Sequence, residues 1–198
     1  EKTDADYTLI PQSTPPVSVY RLSPERVDLL DGNRYLLDFG QEVTGQFEMT
    51  AQGQPGQQIV VRCGEELLDG GKFVRFDMRC NCRYEETWTL SGQADRFEPF
   101  DYKAFRYVEV IGPLEALRPD SFSVVARHYP LDEEACVFET GDPLLGRIWS
   151  ICRRGVQLCA QENYMDCPSR EKGQYLGDNT VIGHTHLYIS GDSRLFRK

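Results

Sequence analysis

The first two thirds of the chain have the alternation of a β-structure. Short runs rich in Val, Phe, Tyr and Thr are separated by turn-forming sequences such as Gly53-Gln54-Pro55-Gly56 and Gly112-Pro113. No helical period lies between these runs, so they predict an antiparallel β-sandwich or jelly roll over residues 14–130, with residues 1–13 as a linker from a preceding segment. The predicted strands are 17–22, 35–39, 46–51, 58–63, 84–90, 105–111 and 121–129.

The spacing of apolar residues changes near Asp142. This residue is suited to cap a helix that has Pro143 in its first turn. Apolar residues then recur at steps of three and four, which predicts an amphipathic helix ending near Asp166, just before Pro168. The face that this pattern predicts consists of Leu145, Ile148, Trp149, Cys152, Val156 and Cys159.

A second helix is predicted from about residue 175 to residue 189, ending near Gly191. Asp192 and Ser193 then form a candidate cap for a third helix. Two helices and a short third one cannot bury their apolar faces around a core of their own. Either they pack on the sandwich, or residues 131–198 are the truncated N-terminal part of a larger helical domain; we expect the second arrangement.

Composition narrows the range of partners. The 198 residues are 40% hydrophobic, and 31 acidic against 22 basic side chains give a formal charge of −9. This acidic balance argues against nucleic acid and anionic membranes as partners, and no apolar run reaches the length of a membrane helix. Seven irregularly spaced cysteines indicate reduced thiols rather than a disulfide framework, which favours a cytoplasmic over a periplasmic location.

The densest cluster of reactive side chains lies between the two predicted helices, at residues 166–178. It combines carboxylates, cations and an aromatic ring, and a loop between rigid helices is a good place for a functional site. The alternative interpretation is a solvated connector whose charges pair with one another. Composition by itself leaves both interpretations open.

Other polar groups carry weaker signals. His184 and His186 are two residues apart on a predicted helix and do not share a face, so we expect neither a metal site nor a cofactor there. Cys167 has no histidine near it in sequence and is expected to be a packed thiol. Glu65 and Glu66 follow a strand and precede apolar residues, which indicates a structural role or a domain contact.

Four segments have the order and spacing of motifs found in the bacterial α-L-rhamnosidases, which are inverting glycoside hydrolases with an (α/α)6 catalytic barrel. The chain resembles this family over nearly its whole length. The resemblance implies a fragment composed of a β-sandwich followed by the first helices of the barrel. The segments are Asp38-Phe39-Gly40-Gln41 with Gly45, Gly64-Glu65-Glu66-Leu67, Phe105-Arg106-Tyr107-Val108-Glu109-Val110, and residues 138–149 from Phe138 to Trp149.

The resemblance also implies roles for residues of the loop. Glu171 occupies the position of the family's general acid, and Arg170 stands beside it. Asp166 and Asp178 fall on acidic positions that line the sugar pocket, and Tyr175 takes a position often filled by tryptophan, as a stacking surface. The general base lies further along the barrel and has no counterpart here, so we expect the fragment to be inactive by itself.

Elementary chemistry agrees with these implied roles. Inverting hydrolysis needs one protonated carboxyl at the leaving oxygen and a carboxylate about 6.5–9.5 Å away that activates water. Nearby carboxylates would raise the pKa of the acid, whereas Arg170 or Lys172 would lower it. The expected partner is a small-molecule or oligosaccharide rhamnoside, and exposed helical faces would favour self-association.

Two other functions remain open at this point. The sandwich could be a non-catalytic carbohydrate-binding module to which the helices are only a linker. Alternatively, the chain could belong to a related (α/α)6 hydrolase that acts on another sugar.

Overall fold

The computed structural model describes residues 10–30, 32–132 and 134–198, so the first nine residues of the predicted linker lie outside the described part. Ten strands are followed by two helices, and a short 3-10 turn, Pro119–Ser121, precedes the last strand. The strands are β1 Ser18–Leu22, β2 Arg26–Leu30, β3 Arg34–Gln52, β4 Gln58–Gly64, β5 Leu67–Leu68, β6 Phe73–Val74, β7 Glu85–Thr89, β8 Ala94–Phe97, β9 Lys103–Ile111 and β10 Ser123–His128. The helices are α1 Pro143–Cys159 and α2 Leu176–Ser190.

Eight of the strands pair in antiparallel fashion, in the order β1-β10-β3-β9-β4-β7, with β2 and β8 also paired to β3. The predicted mainly antiparallel β-fold followed by helices is confirmed. One detail of the prediction is wrong: residues 35–39 and 46–51 are parts of a single strand, β3. This strand continues through the intervening residues because a bulge between Asp38 and Val43 shifts its register against β9.

The bulge of β3 is stabilised by residues of two family motifs, the one that contains Asp38 and Gly40 and the one that contains Arg106. Gly40 has a φ of +75°, and any side chain there would collide with the carboxylate of Glu25. Its N–H donates to Asp38 Oδ1 at 2.8 Å, and Arg106 donates to both oxygens of the same carboxylate at 2.8 and 3.0 Å. The Arg106 hydrogen bond keeps the pKa of Asp38 below its usual range, and this bidentate pair links β3 to β9.

The other predicted strands coincide with β1, β4, β7, β9 and β10 to within two residues. The sequence did not predict β2, β8 or the two-residue strands β5 and β6. Strand β2 pairs only with β3, and its apolar residues Val27 and Leu29 remain exposed. Because neither face of β2 is buried, its sequence lacks the alternation of apolar and polar residues that would have predicted a strand.

One apolar core joins the strands. It is formed mainly by inward-facing residues of β3, β4, β9 and β10, and Trp88 packs on it with its ring centroid 5.6 Å from that of Phe97. The fully buried members include Leu37, Val43, Phe47, Met49, Ile59, Val61, Phe105, Val108, Val110 and Val124. This core makes the strand domain a rigid support for the loops at its edges.

Buried ion pairs connect β9 to its two neighbouring strands, β3 and β4. Glu109 is only 1% exposed, and its carboxylate accepts from Arg34 at 2.7 Å and from Arg62 at 3.3 Å. The Arg34 guanidinium also lies 4.4 Å from the ring centroid of Phe73. A buried carboxylate needs such partners, so these three side chains form one interdependent unit.

Helix α1 begins as predicted, with Asp142 Oδ1 accepting from the N–H of Leu144 at 2.8 Å. The prediction that it runs to Asp166 is wrong, because α1 ends at Cys159. Ala160 adopts an extended conformation, and its carbonyl accepts from the N–H of Tyr129 at 2.8 Å. Backbone pairing with the end of the sandwich therefore replaces the next helical turn.

Helix α2 lies where it was predicted and ends at Gly191, whose φ of +66° is the left-handed conformation of a C-cap. Asp192 then caps as expected, since its Oδ1 accepts from the N–H of Arg194 at 2.9 Å. The predicted third helix is present only as a turn: its single i to i−4 hydrogen bond joins Arg197 to Ser193 at 3.0 Å.

The predicted apolar face of α1 is buried only at its C-terminal end. Val156 is buried and Cys159 is partly buried, whereas Leu145, Ile148 and Cys152 are exposed. A small cluster around Tyr129 and Tyr164 joins the helices to the sandwich. Within the described residues the helices therefore pack on the sandwich at one end and expose apolar surface at the other.

Candidate active site

The loop between the helices is closed at its base by two hydrogen bonds. The N–H of Asp166 donates to the carbonyl of Gly173 at 2.9 Å, and the N–H of Gly173 donates back to Asp166 Oδ1 at 2.8 Å. The ring of Tyr175 packs close to Gly173, where a Cβ would lie 2.5 Å from it. Residues 167–172, which include Glu171, are thus the closed part of a short loop, called the acid loop below.

The sandwich holds the acid loop in place at two points. Tyr84 donates its hydroxyl proton to the carbonyl of Ser169 at 2.6 Å. Lys172 Nζ donates to Asp101 Oδ2 at 2.7 Å and to the carbonyl of Tyr102 at 2.6 Å, and lies 4.0 Å from the centroid of the Tyr102 ring. These contacts cross 70 or more positions of sequence, so the local pattern contains no signal for them.

Glu171 is partly open to solvent, with 33% of its side chain exposed. Its Oε1 lies 3.1 Å from a guanidinium nitrogen of Arg170. Lys172, the cation on the other side in sequence, turns away to Asp101. Of the two cations that were expected to compete for the acid, only Arg170 contacts it.

Tyr175 stands against the same carboxylate. The charge of Glu171 and a hydrogen bond to it raise the pKa of the Tyr175 phenol, and the charge of Asp166 adds to the effect. The ring is about half exposed, so one face is open to a ligand. The structure therefore brings Asp166, Arg170, Glu171 and Tyr175 together around the acid loop.

Asp166 is an ionised acceptor. Burial raises its pKa, but hydrogen bonds from the Gly173 and Cys167 N–H groups and the charge of Arg170 outweigh burial, and the net pKa is below the usual range. The Asp166 carboxylate is therefore charged at neutral pH and oriented by the backbone of its own loop.

A groove of about 580 Å³ separates α1 from α2. Asp166 and Asp178 lie on its border, and the remaining wall is mostly apolar. Two carboxylates on a largely apolar groove can bind hydroxyl groups on one side of a ligand and hydrocarbon on the other. The other residues that line it are Cys152, Gly155, Val156, Cys159, Gly177, Val181, Ile182 and Thr185.

The Cys159 thiol in this groove is held in its protonated form. Burial, reinforced by nearby acidic groups that include Glu42, Asp166 and Asp178, raises the pKa of Cys159 to about 11. All seven cysteines are free thiols. A neutral, protonated Cys159 therefore serves as part of the groove wall.

Sequence reasoning missed Glu42, which lies on the bulge of β3. Burial, reinforced by the charge of Glu65, raises the pKa of Glu42 to about 7, while Arg154 of α1 opposes the shift. Arg154 also donates to the backbone carbonyl of Glu42. The only available signal was its place between Asp38 and Gly45, in a motif to which the family resemblance assigned no site residue.

The histidines have structural surroundings. His186 is fully buried, with its Nδ1 2.6 Å from the hydroxyl of Tyr164, and burial lowers its pKa. His184 is exposed and lies against the ring of Phe196.

Across the described residues no three His, Cys, Asp or Glu side chains form a group that could hold a metal ion. Neither described helix is long and apolar enough to cross a membrane.

Comparison with known proteins now assigns the two parts of the chain. Residues 29–128 match the bacterial alpha-L-rhamnosidase concanavalin-like domain, and residues 133–198 match the bacterial alpha-L-rhamnosidase 6 hairpin glycosidase domain. The chain belongs to the bacterial α-L-rhamnosidase family. This membership confirms the resemblance carried by the sequence motifs.

Individual α-L-rhamnosidases are similar over almost the whole chain. The enzyme from Streptomyces avermitilis is 29% identical over an alignment of 203 positions that covers 98% of this chain and 19% of that protein. Its crystal structure in complex with L-rhamnose superposes with a TM-score of 0.81 at 26% identity, over 98% of this chain and 19% of that one. The native enzyme from Aspergillus terreus gives a TM-score of 0.77 at 26% identity, over 94% and 22%. The chain thus spans about a fifth of the length of these α-L-rhamnosidases.

Proposed function

We propose that this chain is a segment of an inverting α-L-rhamnosidase that removes terminal α-L-rhamnosyl residues from glycosides, and that it carries the general acid, Glu171, but not the general base. The observation that carries the proposal is the anchored acid loop. It holds Glu171 beside Arg170, and Asp166 at the base of the same loop borders the groove together with Asp178. Membership of the α-L-rhamnosidase family supports the assigned reaction. The chain's span of about a fifth of a relative's length supports its assignment as a segment.

In this mechanism the Glu171 carboxyl gives its proton to the glycosidic oxygen as the bond to the anomeric carbon breaks. A carboxylate outside this chain takes a proton from the water that attacks the opposite face. Proton transfer leaves Glu171 negatively charged, with the Arg170 guanidinium 3.1 Å away to stabilise that charge. Arg170 thus favours the state reached after proton transfer.

The rhamnosyl ring is assigned to the groove. Asp166 and Asp178 accept hydrogen bonds from its hydroxyl groups, and the apolar wall between α1 and α2 receives the methyl group that distinguishes a deoxyhexose. The exposed ring of Tyr175 provides a stacking face. No cofactor or metal is part of this proposal.

We retain the division into a linker at 1–13, a sandwich at 14–130 and the first part of a helical catalytic domain at 131–198. The exposed apolar residues of α1 and α2 outside the groove, such as Ile148 and Leu176, support the last assignment because further helices of a hairpin domain would cover them. In the isolated chain the same surface favours self-association, and the chain is expected to have no activity.

The stereochemistry of the product tests the proposal. Proton NMR of the full-length enzyme acting on phenyl α-L-rhamnoside should show β-L-rhamnose as the first product, with the α anomer appearing only through mutarotation. Initial release of the α anomer would contradict inversion, and cleavage of other glycosides but not of rhamnosides would contradict the substrate assignment.

A further inference from the structure

Helix α2 packs on the rest of the molecule around a buried histidine. His186 is 0% exposed. Its ring lies edge-on to two tyrosine rings, 5.3 Å between centroids from Tyr129 at the end of the sandwich and 5.7 Å from Tyr164 in the segment after α1. Both tyrosines belong to the small apolar cluster that joins the helices to the sandwich. The imidazole therefore fills the junction between α2 and the sandwich.

The His186 imidazole has a hydrogen-bond partner for only one of its two nitrogens. Nδ1 lies 2.6 Å from the hydroxyl oxygen of Tyr164, whereas Nε2 is buried and has no partner among the residues that the structure describes. A neutral ring satisfies the Tyr164 contact in either direction, since both groups can donate or accept. An imidazolium would instead bury a positively charged N–H at Nε2 with no acceptor.

The surroundings of His186 do not offset a positive charge. Among the described residues, the groups that face it are the neutral side chains of Tyr164 and Tyr129 and the carboxylate of Asp192, which follows α2. That carboxylate already accepts from Tyr129 at 2.7 Å and from Arg194 at 2.8 Å. Burial therefore outweighs the attraction of Asp192, and the pKa of His186 lies below its ordinary value of 6.5.

We propose that His186 is a pH-sensitive latch for α2: the neutral imidazole keeps the helix docked on the sandwich, and protonation releases it. Release places the charged ring in water, where its hydration replaces the missing acceptor. Because the released form binds a proton more tightly than the docked form, docking is strongest above about pH 6.5 and weakens as the pH falls below that value.

Release of α2 would take apart one wall of the groove. The helix supplies Asp178, Val181 and Thr185 to that wall, while His186 points away from the groove to Tyr129 and does not line it. Protonation of a group outside the groove thus changes the shape of the groove. The latch does not depend on the reaction proposed above, because it concerns the docking of α2 and not bond cleavage.

A second titrating group at the junction acts in the opposite direction. The pKa of Glu42 is raised to about 7, so its contribution to stability is largest at low pH. Glu42 contacts α1 through Arg154. A loss of docking at low pH that is confined to α2 is therefore the signature of His186.

Hydrogen exchange of the chain at about pH 7.5 and pH 5 tests the latch. After correction for intrinsic exchange rates, protection of the α2 amides should fall by about five- to thirtyfold, the upper figure being the limit for one proton that binds only the released form. Amides of β9 in the sandwich core should stay protected. His186→Phe keeps an aromatic ring in the cluster but cannot be charged, so its α2 should be equally protected at both pH values. The matched control is His184→Gln, which removes an exposed histidine from the same helix and should behave as the wild type.

A titration of the wild-type chain by NMR makes the test independent of how well the variants fold. The chain has three histidines, so the His186 ring signals can be resolved. They should titrate only below about pH 6.5, together with the loss of α2 protection. Titration of His186 while α2 stays protected, or an equal loss of α2 protection in the wild type and in His186→Phe, would overturn the latch. Simultaneous loss of protection in β9 would also overturn it, because the whole chain would then unfold.

Discussion

The ammonium group of Lys172 lies 4.0 Å from the centroid of the Tyr102 ring and 2.6 Å from the Tyr102 carbonyl oxygen. The neighbour of the proposed acid is thereby held on the sandwich. Lys172 also has a φ of +53°, in the left-handed region, and directly follows Glu171, whose carboxylate contacts Arg170. The sandwich thus positions a residue that the sequence assigns to the helical domain.

Removing the charge of Lys172 should release the acid loop. Lys172→Met keeps the length of the side chain but loses the hydrogen bonds to Asp101 and to the Tyr102 carbonyl. A displacement of the acid by about 1 Å is enough to lower turnover by about a hundredfold. We expect kcat of the full-length enzyme on phenyl α-L-rhamnoside to fall by about ten- to a hundredfold with little change in thermal stability. Normal kcat in Lys172→Met, with Lys172→Arg as the conservative control, would show that this anchor does not position the acid.

The buried ion pair of the sandwich should be intolerant of losing one partner. Glu109→Gln removes the buried negative charge with which Arg34 and Arg62 both pair, which should lower the free energy of unfolding by about 3–5 kcal/mol. Urea unfolding of the chain measures the change. The matched control is Glu98→Gln, an exposed carboxylate paired with Arg96, where we expect a change below about 1 kcal/mol. Equal effects of the two substitutions would contradict the structural role of Glu109.

Glu42 should make stability depend on pH. Its pKa is raised from 4.5 to about 7, so the folded chain binds more protons than the unfolded chain between these values. The contribution of protonated Glu42 is fully present below about pH 4.5 and is lost as pH rises through about 7. Glu42→Gln should therefore be more stable than the wild type at pH 8 by on the order of 1 kcal/mol, since solvent screens the half-buried group, and equally stable at pH 4.

Chemical unfolding at the two pH values checks the Glu42 prediction. Glu25→Gln, a change in another carboxylate near the bulge of β3, serves as the control. A stability difference between Glu42→Gln and the wild type that is the same at pH 4 and pH 8 would show that the Glu42 carboxyl does not titrate in this range.

The exposed faces of the helices should drive association of the chain. Ile148 and Ile151 are 47% and 72% exposed on α1. Sedimentation velocity should show dimers or larger species that dissociate in the double variant Ile148→Ser/Ile151→Ser. The control is Val19→Ser, which removes an exposed apolar side chain from the sandwich. A wild-type chain that remains monomeric at high concentration would contradict the prediction.

The sequence predicted those features that depend on neighbouring residues. Asp142 caps α1 and Gly191 ends α2, because caps are set by local backbone chemistry. The end of α1 could not be predicted, since Ala160 leaves the helix to pair with Tyr129, a residue far away in sequence. Strand β2 was missed because its apolar side chains face solvent.

The candidate site shows the same limit. The family motif identified Asp166, Arg170, Glu171, Tyr175 and Asp178, and their roles remain a proposal. The anchors of the acid loop, Tyr84 and Tyr102, are known only from the structure, because nothing in their local sequence indicates a contact with residues 165–172.

The most direct measurement compares Glu171→Gln with the wild-type full-length enzyme on two rhamnosides that differ in their need for an acid. On phenyl α-L-rhamnoside, whose leaving group needs a proton, kcat should fall by about a thousandfold. On 2,4-dinitrophenyl α-L-rhamnoside, whose leaving group departs unprotonated, the loss should be less than about tenfold. Glu115→Gln, an exposed carboxylate of the sandwich, should behave as wild type on both. Near-normal cleavage of the phenyl rhamnoside by Glu171→Gln, or an equal loss on both substrates, would contradict the assignment of Glu171 as the general acid.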